Sequence, residues 1–382
     1  MAGEGRGVDR STFEDRRRRL AAAAEREGVD GVVVLPGANL SYLTGLRMAA
    51  SERPTMAVVS GDGGLAMIAP LLEAEKVRRE TGIEKVHDYA DEDGPLGAVR
   101  SALRQVFPAV STGRALRLGV EYLNMRLFEY RLLDEAVPEL VPSDAGPLTA
   151  ELRGRKDPAE VALIEKAVAV VERATRAARA VVRPGATELD VARAMETAIR
   201  EDELATGGGS VASGERSAMP HARTSTRTIR DGEVVWADIV VVREGYVADI
   251  TRTFVAGPLG PELNRVYDVV LEAQRRAREG ARPGMTGAEL DAMARDYITG
   301  QGFGEYFTHR TGHGLGLEVH EEPYIIRTNE RPLEPGQVFT IEPGVYLPGK
   351  GGVRVEDDVI LTEEGARSLT SYPRDLRLGR PS

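Results

Sequence analysis

VRPGATELDVA, residues 182–192, recurs as ARPGMTGAELDAMA at residues 281–294. In each copy Arg-Pro-Gly marks the end of one helix, and the next helix begins within a few residues. A second pair follows in the same order: IRDGEVVWADIV at 229–240 resembles LEPGQVFTIEPG at 333–344. Pro184 and Pro283 lie 99 residues apart, and Gly232 and Gly336 lie 104 apart. Two similar offsets predict a duplicated helix–helix–strand unit. Two copies are too few for a solenoid, so the expected fold is a single pseudo-twofold α+β domain.

The duplication aligns two acids. Asp238 stands six residues after Gly232, and Glu342 six after Gly336. A pseudo-twofold then sets these carboxylates at equivalent places on two strands. Each is followed by another acid, Asp249 and Glu356, with EGY and LPGKGG as the intervening turns. Each pair therefore reads as a hairpin. Asp238 lies within VVWADIVVV and Glu342 within VFTIEPGVY, apolar surroundings where a charge needs a partner. Asp249 and Glu356 have a plainer reading too, as ion-pair partners of Arg252 and Arg354. Taken together, four inward carboxylates facing one cavity require protonation or a bound cation.

The chain holds five histidines, His87, His221, His309, His313 and His320, three of them within HRTGHGLGLEVH at 309–320. One imidazole added to four carboxylates gives a mixed oxygen and nitrogen donor set. That set suits a pair of divalent ions such as Mn, Co, Fe or Zn better than Mg or Ca alone. Cysteine is absent, which excludes thiolate ligands, disulfides and a cysteine nucleophile. His87, in KVHDY, has no supporting context and reads as structural.

At 382 residues the chain is long enough for two domains. Its 42% hydrophobic and 29% charged content is that of a globular protein. A net charge of −10 disfavours a nucleic-acid partner. The charged amino terminus carries no apolar run for a signal peptide, and no stretch reaches a membrane span, so a cytoplasmic location and no membrane partner are expected. Residues 11 to about 27 predict a helix, with Ser11 and Glu14 as a capping box. GVDGVVVLPG predicts a buried strand, and helix–strand alternation continues to about residue 141. The turn-rich PSDAGPL and the helix start at Asp157-Pro158 mark a junction. The expected domains are 1–148, a smaller α/β domain, and 149–382, the duplicated domain.

At these residues the chain resembles the metallopeptidase family containing prolidase, aminopeptidase P and methionine aminopeptidase, with the creatinase-type pita-bread fold. The matching stretches are SGERSAMPHA (213–222), Asp238 with GYVADITRTF (245–254), HRTGHGLGLEVHEEP (309–323), FTIEPGVY (339–346) and GGVRVEDDV (351–359). RLAAAAEREGVDGVVVLPGANLSYLTG (19–45) is similar to the start of the creatinase-type amino-terminal domain, and LRGRKDPAEVALIEKA (152–167) to its junction. Methionine aminopeptidases lack that front domain, which disfavours their branch.

The resemblance implies that Asp238, Asp249, His313, Glu342 and Glu356 hold two divalent metal ions, manganese first among them. It implies that His221 and His320 contact the substrate carbonyl, that His309 assists at the same cleft, and that Arg354 orients the ligand carboxylates. The implied reaction is hydrolysis of the bond before proline in a small peptide, through a metal-bridging hydroxide, with Glu342 carrying the proton. A homodimer is implied as well. A metal-dependent C–N hydrolase or lyase acting on a small-molecule amide is the alternative, and a non-catalytic peptide-binding scaffold a more distant one. Two departures stand near the substrate side: Val240, where the family commonly has glycine, and the run Gly207–Gly209.

Overall fold

The structure is a computed structural model that describes residues 10–108, 115–137 and 139–377. The chain divides into two compact units, residues 1–153 and 154–382.

The first unit opens with α1 (Arg10–Arg26), β1 (Gly31–Val34), α2 (Ala38–Thr44), β2 (Met56–Ser60) and β3 (Leu65–Pro70). It continues through α3 (Leu71–Thr81), β4 (Val86–Tyr89), α4 (Leu96–Val106), β5 (Leu116–Val120), α5 (Leu127–Ala136), β6 (Leu140–Asp144) and α6 (Gly146–Gly154). Its six strands form one mixed sheet in the order β4-β3-β2-β1-β5-β6. The all-apolar run at β1 is buried along its whole length, as a central strand covered on both faces must be. Among the described residues helix α1 spans Arg10–Arg26, where the helix from residue 11 to about 27 is expected. Residues 1–9, part of the stretch read for a signal peptide, lie outside the described residues. Helix α6 runs across the boundary expected at residue 148. His87 is buried in β4, its ring bonded to Ser101 Oγ at 2.9 Å and Gln105 Oε1 at 2.8 Å, a structural arrangement.

In the second unit the duplication is visible in backbone detail. The first copy comprises α7 (Pro158–Val181), α8 (Glu188–Arg200), β7 (Ala205–Ser213), β8 (Glu233–Arg243) and β9 (Tyr246–Ala256). The second comprises α9 (Pro261–Gly280), α10 (Gly287–Gly300), β10 (Gly312–Gly314), β11 (Glu321–Ile325), β12 (Val338–Ile341), β13 (Gly344–Leu347), β14 (Gly351–Arg354), β15 (Asp357–Thr362) and β16 (Gly365–Ser368). Gly185 and Gly284 both take a left-handed φ, 90° and 85°, which explains glycine in both Arg-Pro-Gly turns. Thr187 and Thr286 then cap α8 and α10 with full capping boxes. The Gly185 N–H donates to the Ile229 carbonyl at 3.0 Å, and the Gly284 N–H to the Leu333 carbonyl at 2.8 Å. Each turn is thus tied to the start of its own Asp- or Glu-bearing strand.

The two hairpins differ. Strands β8 and β9 pair without interruption over eleven residues, from Glu233↔Ala256 to Arg243↔Tyr246. The second copy is broken in two: β12 pairs with β15, and β13 with β14, in separate sheets. Glu342 and Glu356 stand at the two breaks. Pro343 has no N–H to give the ladder, and the Glu342 N–H turns away to the Thr311 carbonyl at 2.8 Å. The Glu356 N–H crosses to Thr251 of β9 at 3.1 Å, which brings the two copies edge to edge at the acids.

Candidate metal centre

Strand register places the first two acids. Asp238 pairs with Thr251 and Ser210, and Val240 pairs with Asp249 and Gly208. Side chains alternate along a strand, so Asp238, Val240, Asp249 and Thr251 share one face, with the two aspartates as diagonal neighbours. The same register explains the two departures. Val240 faces a glycine across the strands, so the bulk missing from β7 is supplied by β8. A Cβ at Gly207 would come within 2.2 Å of the Val240 carbonyl oxygen, and one at Gly209 within 2.1 Å of the Asp238 carbonyl oxygen. The glycine run is what allows β7 to approach the strand that carries Asp238.

The broken strands and β10 bring the other donors to that face. One ligand atom each from Asp249, His313 and Glu356 lies within 4.8 Å of the others, and all three residues are buried. Glu342 Oε1 stands 3.4 Å from His313 Nε2. Asp238 is partly exposed at the rim, near enough for its charge to act on Asp249, Glu342 and Glu356. Neither plainer pairing forms: Arg252 pairs with Asp357 at 2.7 Å, and Arg354 with Asp238 at 2.7 Å.

These groups fit divalent cations. Asp249 Oδ1 is buried with no hydrogen-bond partner among the described residues. Burial first, then the charge of Glu356, raises the Asp249 carboxyl well above its usual range, and the same two causes raise Glu342. Glu356 is pushed up to about 7 by burial, then by Asp238. A cation would relieve all three. His313 Nδ1 faces the Gly314 carbonyl at 3.1 Å, so that nitrogen carries the proton and Nε2 keeps its lone pair. Burial, then His320, lowers this imidazole to about 3, which keeps it neutral, the form that binds metal.

A directed hydrogen-bond chain supports the acids. Arg354 has only donors. Its Nη2 donates to Asp238 Oδ2 at 2.7 Å, its Nε to Thr251 Oγ1 at 3.0 Å, and its Nη1 to the Tyr346 hydroxyl at 2.8 Å. Thr251 passes its own proton to Glu356 Oε2 at 2.6 Å. His309 Nδ1 donates to the Arg310 carbonyl at 2.7 Å, so Nε2 accepts from Tyr346 at 2.9 Å. Both ring nitrogens of His309 are taken within the protein, which places it in this chain rather than on the open side of the cleft.

Comparison with known proteins agrees with this geometry over nearly the whole chain. The pattern of metallopeptidase family M24 matches residues 162–363, and that of the creatinase/prolidase N-terminal domain matches residues 16–154. The chain belongs to metallopeptidase family M24. It is 38% identical over 371 residues to a Mycobacterium tuberculosis protein named "probable dipeptidase PepE", covering 94% of this chain and 95% of that one. It is 33% identical over 359 residues to the Xaa-Pro dipeptidase of Pyrococcus horikoshii, covering 92% and 95%. The crystal structure of dipeptidase PepE from Mycobacterium ulcerans superposes with a TM-score of 0.88 at 37% identity, covering 98% and 99%. The M24 pita-bread domain with its creatinase-type front domain is therefore the fold. The chain is a metal-dependent hydrolase, and no helix among the described residues is long and apolar enough to cross a membrane.

On the open side of this M24 centre stand His221 and His320, both exposed. His320 packs edge-on against His313 with ring centroids 4.4 Å apart. His221 is near enough to influence His309 and His320. Arg310 stacks over Tyr324 at 4.5 Å, and its charge reaches His313, His320 and Glu342. No carboxylate pairs with it among the described residues. Asp291 of α10 accepts from the Thr311 N–H and hydroxyl, and pairs with Arg295, which holds the Phe307 and His309 carbonyls. Sequence reasoning missed Thr251, Tyr346, Arg310 and Asp291. Only Thr251 left a readable signal, since it stands two residues from Asp249 on a strand.

Proposed function

We propose that this chain is a dinuclear Xaa-Pro peptidase of the dipeptidase type. The observation that carries the reading is the buried convergence of Asp249, His313 and Glu356, with Glu342 and Asp238 at its border. In this proposal Asp238, Asp249, His313, Glu342 and Glu356 would together hold two divalent ions. Two divalent ions held there would polarise the scissile carbonyl and lower the pKa of water toward neutrality. Glu342, held partly exposed at the rim, takes a proton from water and delivers it to the proline nitrogen as the C–N bond breaks. His221 and His320 donate to the carbonyl oxygen as it gains charge. Manganese as the metal, a cytoplasmic setting and a homodimer belong to the same proposal. Tyr122, Leu123, Leu127 and Phe128 on the first unit, all exposed, are apolar surface that a dimer would cover.

Arg310 favours a dipeptide over a longer peptide. A guanidinium on an aromatic face with no internal carboxylate partner is ready to take a planar carboxylate bidentately. In a dipeptide that carboxylate is only one residue from the scissile bond. Arg310→Ala is expected to raise KM for Xaa-Pro dipeptides on the order of tenfold or more, the effect of a lost charged hydrogen bond. Hydrolysis of Xaa-Pro-Yaa peptides should change little. Steady-state kinetics on both substrate sets tests this. Equal loss on both would remove the argument for dipeptides, and intact peptides throughout would point to a small-molecule amide.

A further inference from the structure

His221 is placed without any bond of its own: its ring makes no hydrogen bond among the described residues, and the residue is exposed. Its position is therefore set by the backbone of the loop that carries it. That loop, residues 213–225, is closed at its base by one carboxylate. Glu188, in the first turn of α8, is fully buried. Its Oε1 accepts from the Ser213 N–H at 2.8 Å and the Ser213 hydroxyl at 2.9 Å. Its Oε2 accepts from the Ser225 N–H at 3.0 Å and the Ser225 hydroxyl at 2.7 Å, and pairs with Arg216.

Each carboxylate oxygen thus holds one end of the loop. Arg216, inside the loop, ties the same carboxylate to the Arg223 carbonyl at 2.6 Å, two residues beyond His221. The middle of the loop meets the metal-centre strands: the Ser217 hydroxyl accepts from the Gly352 N–H at 2.8 Å, and the Pro220 carbonyl accepts from Arg354 at 3.3 Å. A buried charge with five donors is a costly arrangement to assemble, and an amide in its place would turn an N–H toward those donors. In the second copy a carboxylate at a different helix position, Asp291, anchors the segment that leads to His313.

We infer that Glu188 is a positioning residue for the reaction: it clamps the two ends of the 213–225 loop and so fixes His221 over the metal centre. The inference rests on the proposed role of His221 at the substrate carbonyl. It separates two kinds of dependence, because Glu188 touches none of the five metal-binding candidates.

The test is a double-mutant cycle with Glu188→Gln and His221→Ala, read on an Xaa-Pro dipeptide with metal content measured for each variant. Glu188→Gln alone should lower kcat/KM on the order of 10²-fold, the cost of a misplaced catalytic group, mainly through kcat and with metal content unchanged. In the His221→Ala background it should add less than about threefold, because residues that act through one another are not additive. Equal losses in both backgrounds, or loss of metal, would overturn the inference. Hydrogen exchange over residues 214–224 reads the clamp itself and should rise in Glu188→Gln; unchanged exchange would overturn the clamp whatever the kinetics. Full activity of His221→Ala, with exchange still raised in Glu188→Gln, would instead remove the role given to His221. Should Glu188→Gln fail to fold, Ser225→Ala loosens only one end of the loop and should give the same pattern in smaller measure.

Discussion

Glu342→Gln is expected to lose on the order of 10²- to 10⁴-fold in kcat, the contribution of a positioned general acid–base group. The substitution keeps the shape of the side chain and one oxygen facing His313, but removes the capacity to accept and return a proton. Proline's leaving nitrogen must gain a proton as the bond breaks, and among the five clustered candidates Glu342 and Asp238 are the partly exposed acids. Asp238 is already engaged by Arg354. KM should move much less than kcat, since the effect falls on the reaction and not on substrate capture. Kinetics of the reloaded variant, with metal measured alongside, tests this. Near-normal turnover at full metal content would remove the proton-carrying role.

The second large effect belongs to Arg354. Its guanidinium is buried and holds Asp238, Tyr346, Thr251 and the Pro220 carbonyl at once. Arg354→Ala leaves Tyr346 and Thr251 without their donor and Asp238 without its counter-charge. Asp238 is partly exposed, so losing the pair costs on the order of 1–3 kcal/mol, less than for a fully buried pair. Loss of an orienting partner lowers metal affinity by roughly 10- to 100-fold. Arg354→Lys should recover little, because an ammonium cannot donate in the planar fork that reaches four acceptors here. Thermal unfolding and metal titration of both variants read the two effects separately. An alanine variant with unaltered melting and unaltered metal affinity would mean that the acids hold their places without it.

The duplication was legible because its marks are backbone marks. Arg-Pro-Gly turns and threonine caps recur wherever the chain must stop one helix and start another, and they keep their spacing. Asp238 and Asp249 were legible for a related reason, since strand alternation and a two-residue turn fix which face each one takes. The break in the second hairpin was not. Pro343 hints at it, but the new partner of the Glu342 N–H is Thr311, remote in sequence. The direction of the Arg354 chain was hidden as well. Sequence offered Glu356 as its partner, two residues away, but β14 ends at Arg354 and Glu356 lies in the break before β15, so strand alternation does not carry over and Asp238, 116 residues away, takes the charge. His309 shows the limit most clearly: its spacing from His313 suggests a shared cleft, but the Tyr346 hydroxyl decides what its ring does.

In the proposed reading five groups make one metal centre in which metal replaces protons. Calorimetric titration of the stripped protein with Mn(II), in buffers of different ionisation enthalpy, tests it most directly. Glu356 is pushed up to about 7, and Asp249 and Glu342 are raised by burial and then by the charge of Glu356, so below neutrality the metal-free site holds protons that metal must displace. His313, near 3, is already neutral and releases none. The expected result at about pH 6 is two ions per chain, bound with release of at least about one proton, and with an affinity that climbs roughly tenfold or more per pH unit toward neutrality. Binding that releases no protons and is indifferent to pH, or no binding at all, would contradict the account.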